Sequence, residues 1–231
     1  MAWIYLLSGI FLGWNLGAND AGNIFGTATS TKIIRYTTAI VISSVFVMLG
    51  AMLSGFGAAH TLGALGDVNA IAGSFTVSLS AALTVFLLMK RGLVVSVSQA
   101  IVGAILGWNI FTSSPTDMKS VAEIFFSWIL NPLLAGVFSF LVYYGMMLLL
   151  KKSKFHMLEV DVYMKRLTIL VIAFGAYSLG ANNISKVIGV FLSSSPFTDI
   201  RITESFTITG MYQLFFTGAL SIVAGIITYS N

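Results

Sequence analysis

"GWNLGANDAGNIFGTATSTK", Gly13 to Lys32, lies in an apolar N-terminal segment, yet it holds Asn15, Asn19, Asp20 and Asn23. Its glycines are Gly13, Gly17, Gly22 and Gly26. An ionised carboxylate at the centre of a membrane helix costs about 2.5–3.5 kcal/mol on insertion scales, so it is kept where it faces a partner or a water-filled cavity. Asp20 is the acid placed inside an apolar span, while Glu123 stands only at the start of one. The reading of this stretch therefore decides between a packed apolar bundle and a bundle built around a polar centre.

The surrounding composition supports a membrane setting. The 231 residues are 57% hydrophobic and 9% charged, against about 25% charged in a typical soluble domain. A water-exposed surface cannot be covered with so few charges, and the mean hydropathy is +0.94. The formal net charge of +4 comes from short basic clusters between apolar runs, which signals topology and not nucleic-acid binding. No cysteine is present, which excludes disulfides and thiolate metal sites. The start "MAWIYLLSGIFLG" lacks a cationic region ahead of its apolar run and reads as a first membrane helix, not a cleaved signal.

About 20 apolar residues span a bilayer. Seven segments qualify: 2–28, 37–56, 68–89, 92–112, 121–150, 167–192 and 206–229. Alternating spans divide the loops into two sets. One set holds nine basic residues, namely Lys32, Arg35, Lys90, Arg91, Lys151, Lys152, Lys154, Lys165 and Arg166; the other holds Lys119 and Arg201. The positive-inside rule places the first set in the cytoplasm and the N-terminus outside, in a multi-pass protein of the cell membrane. The polar stretch "KKSKFHMLEVDVYMKR", 151–166, then reads as a cytoplasmic linker between 1–150 and 167–231. "TSSPTD" (112–117) and "LSSSPFTD" (192–199) read as outer loops.

The opening stretch returns in weaker form as "AYSLGANNISKVIGVFLSS", 176–194. At an offset of 163 (Gly17 to Gly180), Leu16, Gly17, Ala18, Asn19, Gly26 and Ser30 match Leu179, Gly180, Ala181, Asn182, Gly189 and Ser193. The second copy begins five spans later, and an odd number of spans inverts a repeat. Inverted repeats with broken helices are a common architecture of secondary transporters. The expected fold is thus an all-α polytopic membrane protein, an inverted-repeat secondary transporter with broken helices.

Asp20 and Asn23 share a helix face at i, i+3. Asn15, Asn19 and Asn23 form a neighbouring stripe, and Gly17 and Gly22 are expected to loosen the helix and release carbonyls. One negative charge with oxygen ligands suits a small hard cation. A proton relay through Asp20 would use the same residue, and helix packing through small residues would use the same glycines. In "GLVVSVSQAIVGAILGWN" (92–109), Ser96, Ser98 and Gln99 follow the Lys90-Arg91 pair near a helix start, which suits an anion; serines that only pack would look the same. In the second copy Asn183 stands at the place of Asp20 and Lys186 at that of Asn23. Lys186 there replaces a bound cation, pairs with an anion, or extends to an interface.

These motifs resemble those of the inorganic phosphate transporter (PiT) family. "GANDAGNIFGTATS" is similar to its GANDVANAFGT signature, "GLVVSVSQAIVGAILG" to GLPVSTTHAIVGAIIG, and "SWILNPLLAGVFSFLVYY" to SWVVSPLLG, while "GANNISKVIGVF" sits where the signature repeats. The resemblance implies a carrier, not an enzyme, that moves inorganic phosphate with a sodium ion or proton as co-substrate, without a cofactor, and commonly as a homodimer. By position it implies cation ligands at Asp20 and Asn23, joined by Asn19 and by Asn183 in the second signature. It also implies an anion site at Ser96, Ser98 and Gln99, with Val97 where a hydroxyl residue is usual. Lys186 falls on the second signature's asparagine. The altered residues keep sulfate open as the anion. The resemblance further implies a second GLPVSTTH-like segment, which the sequence to Asn231 lacks. The second repeat is therefore expected to be incomplete, to be completed by a second polypeptide, or to belong to a non-transporting partner subunit.

Overall fold

The computed structural model describes residues 2–63, 71–152, 156–203 and 206–229. A 3-10 turn (Ala2–Tyr5) leads into α1 (Leu6–Ala21), which continues through a π-helical turn (Gly22–Gly26) into the short α2 (Thr27–Ser30). Then come α3 (Tyr36–Gly63), α4 (Ile71–Met89), α5 (Val97–Thr112), α6 (Met118–Lys152), α7 (Met157–Ile188) and α8 (Gly210–Tyr229). A 3-10 turn (Gly189–Phe191) and an antiparallel hairpin, β1 (Ile200–Thr203) with β2 (Phe206–Ile208), lie between α7 and α8.

Among the described residues, five helices are long and apolar enough to cross a membrane, over Tyr36–Gly57, Ile71–Met89, Met118–Lys152, Glu159–Phe191 and Gly210–Thr228. The first and fourth sequence segments are different. α1 and α5 have 16 residues each, about 24 Å of helix against a hydrocarbon core of about 30 Å. α1 is prolonged by its π turn and α2. α5 is shortened at its start because Leu93–Ser96 is not helical. Gly92 stops the preceding helix with a left-handed φ of 74°, and its N–H donates to Met89 O at 2.8 Å.

Two further boundaries differ from the sequence reading. Residues 157–166, read as part of a linker, form the start of α7. Glu159 lies in the first turn of that helix, where a negative charge suits the helix dipole, and its carboxylate accepts from His156 N at 3.2 Å. Residues 206–208, read as the start of the last span, are strand β2. "IRIT" and "FTI" are rich in β-branched and aromatic residues, which favour a pleated pair over a helix. Residues 68–70 and 204–205 lie outside the described residues.

The chain clusters into two compact units, Met1–Thr116 with Thr168–Asn231, and Asp117–Leu167. In the first unit α1 packs on α8 and α4, α3 packs on α8, and α4 packs on α5. Leu12, Leu16, Phe25, Ile184, Phe215 and Ile222 are among its fully buried side chains. In the second unit α6 carries Phe125, Ile129, Leu133, Val137, Phe138 and Leu141 exposed, and none of its residues is buried. Such a helix suits hydrocarbon and not water. Asp117 caps its start, accepting from Ser120 Oγ at 2.6 Å and Lys119 N at 3.0 Å, and these bonds hold its carboxyl below the usual carboxylate range. Pro132 lies within α6.

Close backbone contacts recur in the first unit. A Cβ on Gly17 of α1 would fall within the van der Waals shell of Ile222 O and Ile226 N of α8. A Cβ on Gly180 of α7 would meet Val47 O and Ala51 N of α3 in the same way. The return contacts also match: Gly225 lies against Trp14 O and Ala18 N, and Gly50 against Tyr177 O and Ala181 N. Every α1 residue in the first set pairs with an α7 residue 163 further on, as in 17 to 180 and 14 to 177. Every α3 residue pairs with an α8 residue 175 further on, as in 47 to 222 and 50 to 225. Small residues at such crossings let helix backbones touch, which drives association where lipid removes the hydrophobic contrast. Polar contacts keep the 163 offset, from Trp14 to Tyr177, while their partners on α3 and α8 are 174 apart. Trp14 Nε1 donates to Thr228 Oγ1 at 2.7 Å, and the Tyr177 hydroxyl pairs with Ser54 Oγ at 2.5 Å.

Candidate functional site

The glycines of the opening stretch divide into two classes. Gly13 and Gly17 lie in regular α1 and serve packing, since a side chain on either would collide with α8. The expectation that Gly17 unwinds the helix is therefore replaced by a crossing role. Gly22 and Gly26 bound the π turn and have open space where a Cβ would sit. The irregular backbone begins just after Asp20, and π turns of this kind concentrate at functional sites.

The asparagine stripe divides as well. Asn15 is fully buried, and its Nδ2 donates to Phe11 O at 2.9 Å and to Ala82 O at 3.2 Å. It ties α1 to α4 and belongs to packing. Asn23 is exposed on the π turn, away from the buried line of Asn15. Asn19 and Asp20 lie between them, both half-buried.

Asn19 is the organising residue. Its Nδ2 donates to Asp20 Oδ1 at 2.8 Å and to Val95 O at 2.8 Å. Val95 N donates back to Asn19 Oδ1 at 3.4 Å. One side chain thus orients the carboxylate and pins the non-helical segment ahead of α5. That segment ends in Ser96, which is extended (φ −80°, ψ 107°) and caps α5 by accepting from Gln99 N at 3.3 Å. Ser96 and Gln99 are exposed and Ser98 is half-buried. Because the Ser96 oxygen acts as an acceptor in the cap, its O–H stays available to donate. The sequence reading treated "GAND" and "SVSQ" as separate clusters, and the Asn19–Val95 bracket joins them. Residue type gave no signal for Val95, because it takes part through its backbone. The only hint was a turn glycine followed by a β-branched run.

In the second copy the half-buried Lys186 donates from Nζ to Asn183 Oδ1, one turn back on α7. Its ammonium lies within electrostatic reach of the Asp20 carboxylate but forms no ion pair with it. Asn182, the match of Asn19, is exposed. The described arrangement therefore brings together Asn19, Asp20, the start of α5, Asn183 and Lys186, and it leaves Asn23 outside their hydrogen bonds.

Helices of this length and apolarity around a charged centre define a multi-pass membrane protein. The chain belongs to the phosphate transporter family, whose model matches residues 16–231. It is 28% identical over 202 residues to a Chlamydia pneumoniae protein that carries the name phosphate permease, covering 83% of this chain and 46% of that one. A similarly named protein of Pyrococcus furiosus is 29% identical over 161 residues, covering 65% of this chain and 39% of the relative. The chain thus spans less than half the length of these curated relatives. The fold matches a solved structure described as the sodium-dependent phosphate transporter, with a TM-score of 0.74 at 17% identity, over 99% of this chain and 75% of the other.

Proposed function

We propose that this chain carries inorganic phosphate across the cell membrane, coupled to a sodium ion or a proton. The observation that supports this most is the Asn19 bracket. It holds the Asp20 carboxylate beside the start of α5 in a chain of the phosphate transporter family. Asp20 is the coupling residue, with Asn19 and the carbonyls of the following π turn as further oxygen donors. A cation on Asp20 neutralises the carboxylate and makes the neighbouring space hospitable to an anion. The anion is received by the Ser96 and Ser98 hydroxyls, the Gln99 amide and the first N–H groups of α5. The two "LGAN" copies form an inverted repeat divided near 150 and 167, and rocking of one against the other exposes the site to each side in turn. The N-terminus faces outward and the 151–166 region faces the cytoplasm. The transporting unit is a homodimer.

Labelled phosphate uptake into proteoliposomes tests this, with sodium and proton gradients imposed separately and sulfate as competitor. Uptake is expected under one of the two gradients, to resist sulfate, and to be lost in Asp20→Asn while that variant still inserts. Unchanged cation-driven uptake by Asp20→Asn would remove the coupling role. Stronger competition by sulfate than by unlabelled phosphate would move the substrate to sulfate. Absence of uptake under both gradients would favour a non-transporting partner subunit.

A further inference from the structure

The second copy of the motif has exchanged its ligands for a charge. Where the first copy carries Asp20 and Asn23, the second carries Asn183 and Lys186. The lysine does not extend away from the site. It is half-buried and folds back along α7, so that its ammonium lies on the Asn183 carbonyl oxygen. An oxygen at that place in a cation site would point at the ion, and here it points at Nζ. The ammonium and a bound alkali cation offer the same single positive charge to the same oxygen, and only the ammonium is tethered.

The ammonium lies within electrostatic reach of the Asp20 carboxylate on α1, without a direct ion pair between them. The matching glycine crossings, Gly17 with α8 and Gly180 with α3, place the two motif copies in equivalent packing. Asn19 orients Asp20 from the other side. Among the described residues, the other charged side chains of the first unit stand in loops, at helix ends or in the β1–β2 hairpin, as with Lys32, Arg35, Lys90, Arg91 and Arg201. They are exposed, which leaves Lys186 as the half-buried cation facing this centre.

We propose that Lys186 is a built-in substitute for a sodium ion in the second copy, so that this chain needs one cation fewer than a chain with an oxygen ligand at that position. The proposal rests on the reading of Asp20 as a cation-coupled residue, but its test does not use phosphate. A covalently held ammonium cannot be released with the cargo. It therefore stabilises the polar centre in every state without contributing to the driving force.

Equilibrium binding of radioactive sodium to the purified chain in detergent is the measurement, made on the parent, Lys186→Asn and Lys186→Arg. Lys186→Asn is expected to gain about one bound sodium per chain, because it restores an oxygen donor beside Asn183. Lys186→Arg keeps the charge and is expected to match the parent. Equal sodium binding by Lys186→Asn and the parent overturns the proposal, as does a gain in Lys186→Arg equal to that in Lys186→Asn. Thermal unfolding in sodium against choline provides a second reading. Sodium is expected to raise the melting temperature of Lys186→Asn more than that of the parent, and an equal rise in both counts against the substitution. If Lys186→Asn folds poorly, Asn183→Asp offers the ammonium a carboxylate and is expected to bind no more sodium than the parent; added sodium binding there overturns the proposal. A failure of phosphate uptake leaves each of these outcomes readable.

Discussion

The stretches 13–31 and 176–194 share a packing design and differ in chemistry. Gly17 and Gly180 make equivalent crossings, each against two backbone atoms of a neighbouring helix. Trp14 and Tyr177, also equivalent, each hydrogen-bond across the same crossing. Yet the first copy uses its amide, Asn19, to hold a carboxylate and the start of α5, whereas the matching Asn182 is exposed. The first copy presents a negative charge and the second a positive one. Packing residues cannot drift, because a side chain at the crossing would separate two backbones. Site residues can, because a half-buried polar position accepts any group whose charge its surroundings balance.

Several substitutions would break or sharpen that comparison. The largest effect is expected at the crossings. Gly17→Val and Gly180→Val should each destabilise by about 3 kcal/mol or more, since the obstructing atoms are backbone. Thermal unfolding in detergent measures both, and a mild Gly180→Val beside a severe Gly17→Val would end the claim of equivalent packing. Next comes the charged centre. Asp20→Asn should reduce coupled uptake by about 100-fold, equivalent to about 2.7 kcal/mol, while Asn183→Ala should change it only a few-fold. Similar losses in the two would show that the copies still share a chemistry.

A smaller contrast is expected at the matched amides. Asn19→Ala removes the bracket on Val95 and should cost about 1–3 kcal/mol, whereas the exposed Asn182→Ala should stay within about 0.5 kcal/mol. Chemical unfolding of the two variants gives the difference directly. The smallest effects belong to the crossing hydrogen bonds. Trp14→Phe and Tyr177→Phe should each lose about 0.5–1.5 kcal/mol, in similar amounts, by the same measurement.

Much of this was legible in the residues. Hydropathy marked the membrane helices, because a span must be about 20 apolar residues long whatever its neighbours. The offset of 163 was visible in "LGAN", and Asp20 stood out because a carboxylate in an apolar run needs a reason. The equivalence of α3 and α8, at an offset of 175, was not visible. Its contacts at Val47, Ile222, Ala51 and Ile226 are made by backbone atoms, which leave residue identity nearly free. The β1–β2 hairpin was also missed, because its short runs sit beside a long apolar helix and were absorbed into it.

By itself the sequence determined the membrane class, the family, the repeated motif and the exchange of Asp20 and Asn23 for Asn183 and Lys186. These depend on composition and on residues whose chemistry is costly in lipid. Only the tertiary structure decided that Gly17 packs instead of unwinding, that Asn19 joins the two polar clusters through the backbone of Val95, and that Lys186 turns back onto Asn183. Such outcomes depend on which helix lies opposite and where a long side chain finds its oxygen. Distances across the bundle set both, and no spacing along the chain records them.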